Sequence, residues 1–121
     1  MQPEDGDAAR LWDMLQEAQA IHALASRLDA ETYMADQASR YLIDRRLEII
    51  GGASKRISKS FKRLHPEIPW QGIAGLRNVL AHEYDEIDYG RVWEVVTTRI
   101  PDLIAMLEAV VPPSPPDPEP E

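Results

Sequence analysis

DYGRVWEVVTTRIPDLIAMLEAV, residues 88–110, sets the fold class. Val92, Trp93, Val96, Ile100, Leu103, Leu107 and Val110 recur at three- and four-residue steps. On a helix that spacing gathers them into one apolar stripe. Asp88 stands just before the stripe, where a carboxylate can cap the first free N–H groups. Pro101 lies inside it and is expected to kink or split the helix, because proline removes a backbone hydrogen bond.

The same period extends toward the N-terminus. A helix over about residues 70–83 turns Ile73, Leu76, Val79 and Leu80 inward, with Pro69 at its start. Before it, one long helix is expected from after Asp29 to about Leu64. Its stripe reads Tyr33/Met34, Ala38, Tyr41/Leu42, Ile49, Ala53, Ile57 and Phe61. His65-Pro66 ends it, since the residue before proline avoids the α region. Gly51-Gly52 interrupts it at a cost of ~1 kcal/mol per glycine, so a bend or a close helix–helix approach is expected there. A first helix, capped by Asp7, carries Leu11, Leu15, Ala18, Ile21, Ala25 and Leu28. Period-two alternation bounded by hairpin turns is absent. The expected fold is therefore all-α, an antiparallel bundle of four or five helices over residues 1–111. Residues 112–121, PPSPPDPEPE, hold six prolines and three acids. Such a segment cannot bury a core and is expected to be a disordered acidic tail.

The totals narrow the function. A chain of 121 residues is one domain. With no cysteine, disulfides and thiolate metal sites are excluded. No apolar run approaches the ~20 residues that cross a bilayer. Met1–Asp7 is acidic, so no signal peptide is expected and the chain belongs in the cytoplasm. The net charge of −8 argues against a generic nucleic-acid binder. Yet residues 40–65 set eight cations against Asp44 and Glu48, a local charge of +6. Within that stretch Lys55, Arg56, Lys59, Lys62 and Arg63 recur at helical spacing, opposite Ile57, Phe61 and Leu64. Such a stripe can track an RNA backbone, or simply be a solvated helix face.

The chemistry concentrates in Arg77-Asn78-Val79-Leu80-Ala81-His82-Glu83-Tyr84. A fixed cation, a titratable imidazole and a phenol fall within eight residues. RNA cleavage without a metal can use such a set. A base takes the ribose 2′-OH proton, an acid protonates the leaving 5′-oxygen, and a cation stabilises the phosphorane. His82 suits proton transfer and Arg77 suits phosphate. At ~100° per residue, Arg77 and His82 lie roughly 140° apart on an ideal helix, while Arg77 and Tyr84 nearly eclipse. One imidazole leaves acid and base roles underfilled, so a two-fold homodimer with both motifs facing one cleft is expected. The same residues also suit plain structural roles: a histidine near a helix end, an arginine paired with Glu83, a tyrosine at a helix exit. His22 and His65 read as packed, surface or helix-end residues. Trp12, Trp70 and Trp93 read as core or interface anchors. No His/Asp/Glu spacing suits a metal, no glycine-rich phosphate loop is present, and no cofactor is expected.

RNVLAHEY resembles the R-x4-H-x-Y motif of HepT toxins in the HEPN superfamily, including the polar Asn78 after the arginine. The likeness continues in Leu47-Glu48-Ile49-Ile50-Gly51, Ile68-Pro69-Trp70, Gly72-Ile73 and Gly75-Leu76. Beyond the motif it takes in Ile87-Asp88, Val92-Trp93, Pro101 and Leu103, covering roughly residues 8–110. Many members carry Gly-Glu-Ala where this chain has Gly51-Gly52-Ala53, so a carboxylate that could orient the arginine or histidine is missing at Gly52. The resemblance implies a helical HEPN bundle and a metal-independent endoribonuclease with Arg77 and His82 catalytic and Asn78 in support. It implies a toxin encoded beside a minimal nucleotidyltransferase antitoxin, which adenylylates the motif tyrosine, here Tyr84. The added phosphate and bulk would repel RNA from Arg77 and His82. Two other classes stay open: a non-catalytic HEPN module that binds nucleotide or supports a nucleotidyltransferase, and a plain helical dimerisation protein.

Overall fold

The computed structural model describes residues 5–80 and 87–112. Among them no strand occurs. Six α-helices run Asp5–Ala25 (α1), Ala30–Ala35 (α2), Gln37–Arg56 (α3), Lys59–Leu64 (α4), Trp70–Ala74 (α5) and Tyr89–Val110 (α6). A 3₁₀ helix, Gly75–Leu80, follows α5. The three long helices carry the core: α1 packs on both α3 and α6, while α5 and the 3₁₀ helix lie on α3. The all-α bundle is as expected. Residues 113–121 of the proline tail, and the histidine and the tyrosine of the motif, lie outside the described residues.

Helix α6 follows its sequence closely. Asp88 accepts the Arg91 N–H at 3.1 Å as its cap. Val92, Val95, Val96, Ile100, Leu103 and Leu107 are buried. Pro101 does not split it: the helix runs unbroken from Tyr89 to Val110. The stripe on either side of Pro101 is anchored in the core, and that packing outweighs one missing hydrogen bond.

The long second helix is corrected to three. Asp29 does cap its start, in a reciprocal capping box with Thr32. Asp36 then leaves the helical region (φ −105°, ψ 93°) and caps α3 by accepting the Ser39 N–H. Ser58 breaks the chain again and caps α4. Each break resets the helical phase. The buried stripe of α3 is Ser39, Ile43, Leu47, Ile50, Gly51 and Ser54. Tyr41 and Leu42, expected inside, are exposed, as are Met34 and Leu64. Ala38 is exposed, and Ile49 and Ala53 are only partly buried.

The expected helix over residues 70–83 is also divided: α5 ends at Ala74 and the tighter 3₁₀ turn takes over. Ile73, Leu76, Val79 and Leu80 are buried as anticipated. Asp7 does not cap α1, which begins two residues earlier. Its buried carboxylate instead accepts the Ser58 N–H at 2.9 Å and the Ser58 hydroxyl at 2.6 Å. Ser58 Oγ in turn accepts the Phe61 N–H at 3.2 Å. A carboxylate of α1 thereby fixes the start of α4, across 51 residues of sequence.

Candidate active site

Gly51 settles how α3 meets the 3₁₀ helix. A Cβ there would lie 2.5 Å from Arg77 Cγ, 3.0 Å from Arg77 Cδ and 3.3 Å from the Ala74 carbonyl oxygen. Only a bare backbone lets the arginine stem lie across α3. The glycine pair is thus a close approach, one of its two expected readings. Gly52 differs: a Cβ there meets nothing within 4 Å.

Where Arg77 crosses α3 a polar cleft opens, about 390 Å³ in volume, lined by Glu48, Lys55, Arg77, Asn78 and Leu80. Arg77 and Asn78 are exposed, while Val79 and Leu80 beside them are buried. The tight turn therefore presents its polar pair to solvent and seats its apolar pair in the core. Two cations and an amide in one concave site can grip a phosphodiester.

The basic stripe is not continuous. Lys55 lines the cleft and Arg56 is exposed beside it at the end of α3. Lys59, Lys62 and Arg63 belong to α4, beyond the break at Ile57-Ser58, and are not among the lining residues. Lys62 places its ammonium 5.9 Å from the Trp70 ring centroid. Arg63 Nε donates to the Lys59 carbonyl oxygen at 3.4 Å. His65 closes α4 and pairs Nδ1 with Glu67 Oε1 at 3.0 Å; His22 is exposed. Trp12, Trp70 and Trp93 all pack against the core.

Sequence reasoning missed a second anchor. The Tyr89 hydroxyl donates to Asp44 Oδ2 at 3.1 Å. The Arg40 guanidinium lies 4.9 Å over the Tyr89 ring, and Tyr33 stacks on Trp93 at 4.9 Å. Burial pushes the Asp44 carboxyl up from its ordinary value, and Glu48 adds to this, against the Tyr89 hydrogen bond and Arg40. Burial likewise raises the Tyr33 and Tyr89 phenols, helped by the Asp44 charge. The chain before residues 81–86 is held to α3 at Gly51, and the chain after them at Asp44. No local signal in the sequence links residues 45 positions apart.

A different hollow of about 270 Å³ lies between α5, the 3₁₀ helix and α6, lined by Ile73, Leu76, Ile100, Leu103 and Met106 with Arg99 and Asp102 among its polar members. It is mainly apolar and ill suited to phosphate. Among the described residues, no three His, Asp or Glu side chains group to hold a metal ion. Nor is any helix there long and apolar enough to cross a membrane.

A model of the family described as "Ribonuclease HepT-like" matches residues 14–110, which include both α3 anchors and the whole motif. The chain belongs to the HepT-like ribonuclease family. A protein of Methanocaldococcus jannaschii named as an RNase is 35% identical over 102 residues, covering 84% of this chain and 94% of that protein. One of Thermococcus cleftensis, named as a ribonuclease HepT, is 38% identical over 98 residues, covering 81% and 89%. One of Caldanaerobacter subterraneus, also named as an RNase, is 33% identical over 98 residues, covering 81% and 88%. No solved structure matches the chain.

Proposed function

We propose that this HepT-like chain is a metal-independent endoribonuclease that cleaves RNA at the cleft between α3 and the 3₁₀ helix. The observation that carries the reading is Arg77, held across Gly51 with its charged end at the cleft, beside Lys55 and Asn78. Arg77 grips the scissile phosphate and stabilises its growing charge. Asn78 donates to a phosphate oxygen, Lys55 adds a second cation, and His82 transfers a proton to or from the reacting oxygens. Arg56, Lys59, Lys62 and Arg63 extend the attraction along the RNA backbone. The protein acts as a homodimer and as the toxin of a toxin–antitoxin pair. A partner nucleotidyltransferase silences it by adenylylating Tyr84, which places phosphate charge where RNA phosphate must bind.

The test is cleavage of a defined oligoribonucleotide in EDTA. The expected product ends in a 2′,3′-cyclic phosphate, and Arg77→Ala or His82→Ala abolishes cleavage while helical content is retained. Either variant cleaving like the parent chain refutes the assignment. Nucleotide binding by a chain that cuts no RNA would favour the non-catalytic module instead.

A further inference from the structure

The reaction needs a base as well as an acid, and, besides the motif histidine, there is a carboxylate of α3 in the cleft. Glu48, Gly51 and Lys55 lie on neighbouring turns of one face of α3, at steps of three and four residues. The Arg77 stem crosses that face at Gly51. Glu48 therefore stands on one side of the arginine and Lys55 on the other, and all three line the same cleft. Glu48 is not used up elsewhere. Its ion pair among the described residues is with Arg45 at 3.4 Å, and both side chains are largely in water, at 48% and 72% exposure. Such a pair is weak and easily exchanged. Arg77 does not neutralise it: no ion pair joins the two among the described residues, and the cleft lies open to both.

A carboxylate repels a phosphate, so its presence in a phosphate-gripping cleft calls for a different role. We infer that Glu48 is the general base of the cleavage, accepting the proton of the ribose 2′-OH. The inference rests on the ribonuclease reading above. With the phosphate drawn toward Arg77 and Lys55, the 2′-OH is turned to the Glu48 side. The 2′-oxygen forms its bond to phosphorus as its proton passes to the Glu48 carboxylate. The bond from phosphorus to the 5′-oxygen breaks, and that oxygen takes a proton from the acid of the site, the role left to His82. The products are a 2′,3′-cyclic phosphate and a free 5′-OH, with no other reactant needed. Acid and base then belong to different residue types.

The experiment compares the full chain with Glu48→Gln and Glu48→Asp on an oligoribonucleotide with one cleavable linkage. The expected result for Glu48→Gln is a kcat lower by roughly 10²- to 10⁴-fold, with KM unchanged or lower because a negative charge has gone. The fall of rate on the acid side of the pH profile should vanish in this variant, and Glu48→Asp should recover part of the rate. Binding of the 2′-deoxy analogue should match the parent chain or tighten. Cleavage by Glu48→Gln within a few-fold of the parent overturns the inference while leaving the ribonuclease reading intact. So does a lower rate with an unaltered pH profile, which would make Glu48 a positioning residue. A parent chain that cleaves no RNA overturns both.

Discussion

Adjacent glycines on α3 make a controlled comparison, because Gly51 and Gly52 share a helix yet meet opposite surroundings. Alanine at either position gains about 1 kcal/mol of helix propensity. At Gly52 nothing opposes that gain, since the new methyl group meets no atom within 4 Å. At Gly51 the methyl group lands 2.5 Å from Arg77 Cγ and 3.3 Å from the Ala74 carbonyl oxygen. The nearer atom is the stem of the arginine rather than its mobile end, and the other is backbone. Overpacking of this kind costs about 1–3 kcal/mol, which cancels or exceeds the propensity gain. The two variants should therefore differ in stability by roughly 1–3 kcal/mol. At roughly 4 °C of Tm for each kcal/mol, thermal unfolding resolves that gap easily. Activity should separate them further. Gly51→Ala displaces the guanidinium, and a shift of about 1 Å in a positioned group can cost on the order of 10²-fold in rate. Gly52→Ala should keep cleavage near the parent level. Thermal unfolding and RNA cleavage, run side by side, check both. A Gly51→Ala chain as stable and as active as Gly52→Ala would show that Arg77 does not need its seat on α3.

Four further outcomes follow from particular contacts. Asp7→Ala leaves the Ser58 N–H and hydroxyl without their buried acceptor, and should lower stability by about 1–3 kcal/mol, measured by denaturant unfolding; a change under a few tenths of a kcal/mol would refute the cap. The Asp44 carboxyl is raised by folding, chiefly through burial, so its contribution to stability is complete at acid pH and is lost as pH rises through its folded value. Asp44→Asn, which can still accept from Tyr89, should therefore raise Tm at neutral pH and lose that advantage below about pH 4; equal gains at both pH values would refute the sign. Replacing Lys55, Lys59 and Lys62 together by alanine should weaken RNA binding and flatten its dependence on salt concentration, with an unchanged slope returning the stripe to a merely solvated face. Tyr84→Phe should retain most RNA cleavage yet resist silencing by the partner nucleotidyltransferase and ATP, with mass spectrometry locating the adenylyl group; modification elsewhere refutes the switch.

Several elements were determined by the sequence alone, because their causes are local. The α6 stripe and its Asp88 cap depend only on residue spacing and on one side chain reaching its own helix. The buried pattern of Ile73, Leu76, Val79 and Leu80 holds even though the helix tightens to 3₁₀ beneath it. Arg77, Asn78 and Lys55 were legible as chemistry, and they do share one cleft. The phase of α3 was decided only by tertiary structure. Short polar caps at Asp36 and Ser58 break the chain, and packing on α1, α5 and the 3₁₀ helix then chooses Ile43 and Leu47 over Tyr41 and Leu42. Asp7 read as a cap for its own helix, since nothing local reveals a Ser58 brought to it by folding. Glu48 read only as one of two acids within a basic stretch, and its place in the cleft came with the structure. Whether a charge on a long helix faces water or a reaction depends on what crosses that helix, and the crossing here is fixed by one glycine with no room for a methyl group.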